Sequence, residues 1–369
     1  MFVIRLGNSM ARDHNVHLLE LNKFKSKDKK MMKLLDPSIK ICQPDSLLPV
    51  TLVRFVQNQI PFFPMKQFFS KSITFLKYIY VWLYVLKNRI NVIHSNSWVS
   101  DYFMSRIARF CNARFIITLH GHYELLKDSM EDFTYKTSKI ISAVDHIAYL
   151  TEKNLLSLKN IELNIDKCHL IFNGIPRDNS NHETWGKKGQ IHFAIASRAI
   201  REKGWEETIK SAIELGNEKD YDIYLHLIGD GEIVDELRKK YSASRNIVFH
   251  GFVLNVIEYL KKIDVCILPS YYEAESMPFS VIEYLSVGKP VIASRVGYIE
   301  EMIRVENRLA GFLIELNNGR IDVGQLKKCM SLYIENPQLI REHSKDAEKA
   351  FEKFDISYCK NKYLNLYSQ

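Results

Sequence analysis

The sequence predicts an α/β protein of two domains, each a parallel sheet covered by helices. Three observations carry this. At 369 residues the chain is too long for one ordinary core and fits two. Short apolar runs alternate with segments of helical period along most of its length, as strands joined by covering helices do. A polar, aperiodic stretch, RDNSNHETWGKKG at 177–189, then separates two such alternating halves as a linker. The expected domains are 1–176 and 190–345, with a helical tail at 346–369 that packs back on the N-terminal domain.

In the first half, residues 16–21, 92–94, 115–119 and 146–150 read as strands. Between the first two lies an aromatic-rich region at 62–89, with Phe68, Phe69, Phe75, Tyr78 and Trp82 interleaved with Lys71, Lys77 and Lys87. It reads either as an amphipathic helix lying at a membrane interface or as a packing helix. Past the linker, residues 191–196, 223–228, 247–249, 265–268 and 290–293 read as buried strands with helices between them.

Composition narrows the class. With 46% hydrophobic and 25% charged residues, the chain is globular. Its net charge of +8 is unevenly placed: residues 1–110 hold 17 Lys and Arg against 6 Asp and Glu, and the remainder holds 34 against 37. A basic half beside a neutral one suits an anionic partner on one side only: a membrane surface, a lipid phosphate or nucleic acid. A solvated basic surface is the plainer alternative. The cations are dispersed and follow no nucleic-acid-binding motif, so no nucleic-acid partner is expected. The six cysteines are far apart, without metal or redox spacing, and read as free thiols of a reducing cytosol. The start, MFVIRLGNSMARD, lacks the apolar run and cleavage site of a signal peptide. The most apolar stretch, 72–86, contains Lys77 and falls short of the ~20 residues that span a bilayer. The expected location is the cytoplasm, with peripheral contact at the inner membrane face.

The strongest local signal is YYEAESMPFSVIEYLSVGKPVIAS at 271–294. It follows a strand and carries two carboxylates, Glu275 and Glu283, eight positions apart. Ser276 is expected to cap a helix whose first turn accepts Pro278, since proline has no amide hydrogen to lose there. The amides near Met277 to Ser280 would then receive an anion such as a phosphate. Read alone, this is an ordinary strand–helix–strand unit with two solvated glutamates. A second segment, ASRAIREKGWEETIKSA, leaves another strand of the same domain and places Arg198 and Lys203 around a short turn. Ligands of open parallel sheets collect at the carboxyl ends of the strands. Two cations and a helix start converging there suit a diphosphate, although each cation alone would more often be a surface charge.

These strings together resemble glycosyltransferase family 4 (glycosyl transferases group 1). They are Glu275 and Glu283 with seven residues between, GKPVIAS after them, and the Arg198-to-Lys203 turn ending in Gly204. LIGDGE at 227–232, FHGFV at 249–253, IFNGIP at 171–176 and TLHGH at 118–122 add to the match. The resemblance runs over nearly the whole chain from about Leu6. It implies a GT-B fold, two Rossmann-like domains facing a cleft, and transfer of a sugar with retention from a UDP- or GDP-sugar to a glycan or lipid-linked acceptor, in surface polysaccharide or glycolipid synthesis. It also implies that Arg198 and Lys203, with Pro278, Phe279 and Ser280, hold the donor diphosphate. Glu283 would bind the ribose, Glu275 would contact the transferred sugar, and His120 would reach the sugar from the N-terminal domain. No cofactor and no metal are implied.

One departure stands out. The family opens with a strand and a glycine-rich loop, whereas this sequence starts within the expected first helix, where Gly7 does not replace that loop. Either the true start lies upstream, or the N-terminal sheet is short of its first strand. That leaves room for a truncated, non-catalytic sugar-nucleotide-binding or partner protein of the same fold. A sugar-nucleotide epimerase of the same architecture fits the two glutamates less well.

Overall fold

A computed structural model describes residues 1–21, 31–51, 54, 63–121, 132–178, 189–218 and 221–369. The chain divides into two compact units, one of Met1–Ile171 with Lys360–Gln369 and one of Phe172–Cys359. The division falls a few residues ahead of position 176. Of the tail, only the last ten residues group with the first unit. Most of the expected linker, at 179–188, and the motif residue His122 lie outside the described residues.

The first unit begins with α1 (Phe2–Met10), followed by β1 (His17–Leu19) and β2 (Lys40–Cys42), which pair in parallel. The long α2 (Phe63–Lys87) leads to β3 (Val92–Ser95), α3 (Trp98–Ala108), β4 (Arg114–Leu119), α4 (Phe133–Ala143), β5 (His146–Tyr149), α5 (Glu152–Leu156) and β6 (Cys168–Leu170). Strands β3 to β6 form a parallel sheet in chain order. Phe115, Ile117, Leu119 and Ile147 of this sheet are fully buried against Val81 and Val85 of α2 and Ile107 of α3. Strands covered on both faces in this way carry apolar runs rather than alternation. Among the described residues no strand pairs with both β1 and β3, so β1-β2 and β3-β4-β5-β6 are separate sheets.

Helix α2 has a buried face and an exposed one. Val81 and Val85 join the core, and Lys77 donates to the Leu21 carbonyl at 2.9 Å and pairs with Asp45. On the opposite side Phe68, Phe75, Ile79, Trp82, Leu83 and Leu86 are exposed. Spaced by 7, 4, 3, 1 and 3 residues, these six fall in one stripe about 100° wide at 3.6 residues per turn. No helix of the described residues is long and apolar enough to cross a membrane.

The second unit holds β7 (Gln190–Ala196), α6 (Trp205–Glu218), β8 (Asp222–Ile228), α7 (Val234–Lys240), β9 (Ile247–Gly251), α8 (Val256–Leu260), β10 (Val265–Leu268), α9 (Phe279–Ser286), β11 (Val291–Ser294), α10 (Ile299–Ile303), β12 (Gly311–Ile314), α11 (Val323–Glu335) and α12 (Gln338–Phe351). A last helix, α13 (Ile356–Ser368), ends in the first unit. There Tyr367 bonds His94 at 2.6 Å and Tyr363 bonds Thr118 at 2.9 Å. The sheet of the second unit is parallel throughout, in the order β12-β11-β10-β7-β8-β9. The chain moves outward from β7 to β9, then returns to the other side of β7 and moves outward again. The carboxyl ends of β7 and β10 therefore flank the point where strand order reverses, which opens a crevice in sheets of this kind.

Strands β2, β6 and β12 have no counterpart among the expected strands. Each is three or four residues long and only partly buried, so neither a period nor a fully buried run marks it. Beneath the crevice, Tyr284 of α9 is fully buried. Its hydroxyl accepts from the Ala196 amide at 2.8 Å and lies 3.3 Å from the Ile267 carbonyl, so one side chain ties together the ends of β7 and β10. Replacing Tyr284 by Phe strands a buried amide, which costs about 1–3 kcal/mol. Urea unfolding of Tyr284→Phe is expected to show that loss of stability.

A second feature of this sheet is a ladder of stacked imidazoles across β7, β8 and β9. His192 Nδ1 lies 2.9 Å from His226 Nε2, and His226 Nδ1 lies 2.9 Å from His250 Nε2. Burial pushes all three below the ordinary histidine range, His226 to about 3. The folded state favours the neutral rings, so their contribution is complete above pH 6.5 and is lost as pH falls toward the folded values. The buried Asp264 carboxyl, whose pKa burial raises, opposes this trend below neutrality. His226→Asn removes the most strongly shifted ring. We expect the thermal midpoint of the parent to fall between pH 6.5 and 5, and that of the variant to fall less.

Candidate functional site

Two loops meet at the reversal of strand order. The first leaves β7 at Ala196 and passes Ser197, Arg198, Ala199 and Ile200 into a short 3-10 turn, Arg201–Lys203, that ends at Gly204. Gly204 has φ +70°, and a Cβ there would lie 2.4 Å from Ile321 Cδ1 and 2.6 Å from the Pro269 carbonyl. Glycine alone permits both the left-handed backbone and this approach. The turn is thereby pressed against the chain leaving β10, where the Tyr271 amide donates to the Glu202 carbonyl at 2.8 Å. Gly229 (φ +143°), at the end of β8, presses the same loop from the other side, since a Cβ there would meet the Ser197 carbonyl at 1.9 Å.

The second loop leaves β10 at Leu268 and reaches α9 at Phe279. Because the first loop is fixed, Lys203 meets Glu275 in a buried ion pair whose side chains are 8% and 7% exposed. Tyr272 lies beside it. Its ring centre is 5.2 Å from Lys203 Nζ and 5.4 Å from Arg198 Cζ, within reach of a cation–π attraction to both. Arg198 is exposed above the ring.

At the start of α9 the structure departs from the expected cap. The helix begins at Phe279 with Pro278 as its N-cap, in extended geometry and without a side-chain cap bond. Ser276 lies two residues earlier, so it does not cap. Its Oγ is buried, with no hydrogen-bond partner among the described residues. Proline holds φ near −65°, and the N-cap position here has φ −66°, which lets Pro278 turn the chain into the helix unaided. Phe279 and Ser280 sit partly exposed in the first turn, and Glu283 sits partly buried one turn further on.

The second unit thus gathers Arg198, Lys203, Glu275, Pro278, Phe279, Ser280 and Glu283 on two loops and one helix start. His120 belongs to the first unit. It follows the carboxyl end of β4, where its Nε2 lies 3.2 Å from Asn96 Oδ1 and its ring meets the Phe2 ring at 4.5 Å. Burial, with the Met1 amine adding to it, lowers its pKa to about 4, so the ring is neutral near pH 7. Tyr272 was not among the expected site residues. Its letter is visible three positions before Glu275, but no pattern in the sequence says that its ring lies against two cations from another loop.

The chain matches the family described as "Glycosyltransferase Family 4" over residues 1–179 and that described as "Glycosyl transferases group 1" over residues 178–350. It is 27% identical over 212 residues to the UDP-Gal:alpha-D-GlcNAc-diphosphoundecaprenol alpha-1,3-galactosyltransferase of Escherichia coli, which covers 56% of this chain and 49% of that one. It is 24% identical to the poly(ribitol-phosphate) alpha-N-acetylglucosaminyltransferase of Staphylococcus aureus, covering 61% and 44%. The matched stretches thus span about half the length of these relatives. Among solved structures, Anabaena HepE in complex with UDP superimposes with a TM-score of 0.72 at 13% identity, covering 100% of this chain and 95% of that one. Sucrose-phosphate synthase from Thermosynechococcus elongatus does so with 0.71 at 17%, covering 100% and 92%. At these identities the likeness establishes the two-domain GT-B fold.

The Tyr272 ring supplies a test of the site. Each ring–cation contact contributes about 0.5–2 kcal/mol, so Tyr272→Ala is expected to lower the free energy of unfolding by about that much in urea. Tyr272→Phe, which keeps the ring, is expected to unfold as the parent does.

Proposed function

Given that the chain belongs to the group 1 glycosyltransferases, we propose that it moves a hexose from a UDP-sugar to a lipid-linked glycan acceptor, with retention at the anomeric carbon. The observation that carries this reading is the convergence of Arg198, Lys203, Glu275 and the start of α9 where the strand order reverses. The relatives named for UDP-Gal and for diphospho-undecaprenol acceptors support the donor and acceptor classes.

In this reading the diphosphate lies between Arg198 and the first turn of α9. There the partial positive end of the helix and two cations face its oxygens. Charge grows on the nucleoside diphosphate as its bond to the sugar breaks. Fixed cations therefore stabilise the transition state more than the ground state. The chemistry calls on no metal. The buried Ser276 hydroxyl adds a polar group just before the helix, Glu283 takes the ribose hydroxyls, and Glu275 takes a hydroxyl of the sugar. Lys203 acts twice, on the diphosphate and as the counter-charge of Glu275. His120, neutral at pH 7, accepts or donates one hydrogen bond to the sugar. Retention follows from attack on the face the leaving phosphate departs from, with that phosphate taking the acceptor proton.

The exposed apolar stripe of α2, about 27 Å long from Phe68 to Leu86 at 1.5 Å per residue, sits in the basic half of the chain and suits the interfacial layer of an anionic membrane. It would hold the protein where a lipid-linked acceptor is presented, at the inner face of the cell membrane, in surface polysaccharide or glycolipid synthesis.

Two experiments test this. With a panel of UDP- and GDP-sugars, Arg198→Ala is expected to lower kcat/KM about 10²-fold or more, as loss of a preorganised charge does. Arg198 is the cleanest probe because it is exposed. Lys203→Ala leaves the Glu275 charge buried without its partner and costs about 3–5 kcal/mol of stability besides. Unchanged transfer by Arg198→Ala would remove it from the site. In the second experiment, sedimentation with phosphatidylglycerol vesicles is expected to recover the parent and to lose Phe75→Ser/Trp82→Ser. Equal recovery of both would free α2 of that role.

A further inference from the structure

Two neighbouring strands of the first unit end in polar side chains that meet. β3 and β4 pair in parallel, with Ser95 opposite Ile117. Asn96 comes directly after β3 and His120 directly after β4. Asn96 Oδ1 lies 3.2 Å from His120 Nε2. A carbonyl oxygen only accepts hydrogen bonds, whereas a neutral imidazole has one donor and one acceptor nitrogen. The direction in which the Asn96 amide faces therefore decides which ring nitrogen holds the proton.

The surroundings of that amide suit one orientation. Its Nδ2 donates to the His94 carbonyl at 3.4 Å. Turned over, it would set two acceptor oxygens against each other. With Oδ1 toward the ring, Nε2 carries the proton and the free lone pair is on Nδ1. The ring itself is held on other sides. Asn154 of α5 is fully buried; its Oδ1 accepts from the Thr151 amide at 2.9 Å and its Nδ2 donates to the Gly121 carbonyl at 3.2 Å. The peptide after His120 is thereby anchored. The Phe2 ring meets the imidazole edge-on, with centres 4.5 Å apart. Burial keeps the imidazole neutral at pH 7. Among the described residues it makes no hydrogen bond besides that to Asn96.

We infer that Asn96 is a positioning residue of the transfer reaction: it holds His120 in the tautomer protonated at Nε2, so that Nδ1 accepts a hydrogen bond from a hydroxyl of the sugar. This rests on the role proposed for His120 and decides between the two ways in which a neutral ring could meet the sugar. The opposite tautomer would present an N–H, against which that hydroxyl would have to turn its hydrogen elsewhere. A partner that fixes the tautomer from behind removes this second arrangement before the substrate arrives.

The test reads the tautomer directly, by long-range 15N–1H correlation near pH 7 on the full chain labelled with 15N-histidine. His120→Gln identifies the His120 signals among the 12 histidines by their absence. The parent is expected to show His120 protonated at Nε2. Asn96→Leu, which removes the acceptor, is expected to raise the share protonated at Nδ1 about fivefold, as loss of one hydrogen bond does. Asn96→Asp, which keeps an acceptor there, is expected to retain the parent's tautomer. A parent ring protonated at Nδ1, or an unchanged ratio in Asn96→Leu, would overturn the assignment. Kinetics with the UDP-sugar separate this assignment from the reading beneath it. Asn96→Leu is expected to lower kcat/KM about tenfold, while its affinity for uridine diphosphate, which has no sugar, stays within about twofold of the parent. An altered tautomer ratio with unchanged kcat/KM would overturn the positioning role. Full transfer by His120→Gln would instead remove His120 from the sugar site, and the role of Asn96 with it.

Discussion

The candidate site depends on one interaction, the buried ion pair between Lys203 and Glu275. Removing two charges from water costs several kcal/mol per ion and is recovered only when partners and geometry are right. Here the geometry comes from glycine at position 204, whose missing side chain lets the Lys203 turn lie against the Pro269 carbonyl. It also comes from the bond between the Tyr271 amide and the Glu202 carbonyl, which couples the two loops. With Tyr272 alongside, the pair is part of a small charged cluster in which Arg198 is the most exposed member. A ligand phosphate entering this cluster would meet cations already held in place, so little reorganisation would accompany binding.

That cluster rests on the sheet below it. A return of the chain to the far side of β7 places the two loops side by side, and the Tyr284 hydroxyl holds the strand ends that launch them. The same sheet carries its polar residues in an economical way. The three imidazoles of β7, β8 and β9 bond one another across neighbouring strands, and their burial makes them resist protonation. The first unit follows the same construction less completely. Its strands β3 to β6 form a covered parallel sheet, and β1 and β2 stand apart from it across an apolar slot.

Much of this was legible in the sequence. The two-unit α/β organisation followed from length, alternation and the polar break near 177–189. Strands such as β7, β8 and β10 showed as apolar runs because burial on both faces leaves no alternation to obscure them. Strands β2, β6 and β12 escaped because each is both short and only partly buried. Ser276 misled because serine before a helix is ordinarily a cap, whereas the fixed φ of Pro278 already sets the entry and the serine turns inward. The tail divides between units because α12 packs beside α9 while Tyr363 and Tyr367 reach His94 and Thr118.

By itself the sequence determined which residues could carry charge at the ends of β7 and β10, because side-chain chemistry and spacing from a strand are properties of the chain alone. It also marked residues 62–89 as an aromatic-rich helical region, without deciding whether that region packs or lies at a membrane. The tertiary structure decided which of these groups meet. Lys203 and Glu275 are 72 residues apart, and only the reversal of strand order brings them into one pair. Tyr272 becomes a partner of two cations only when two loops are pressed together by a glycine that no longer-range pattern announces. Distances between residues remote in sequence are set by packing and topology, and neither is written in a local period.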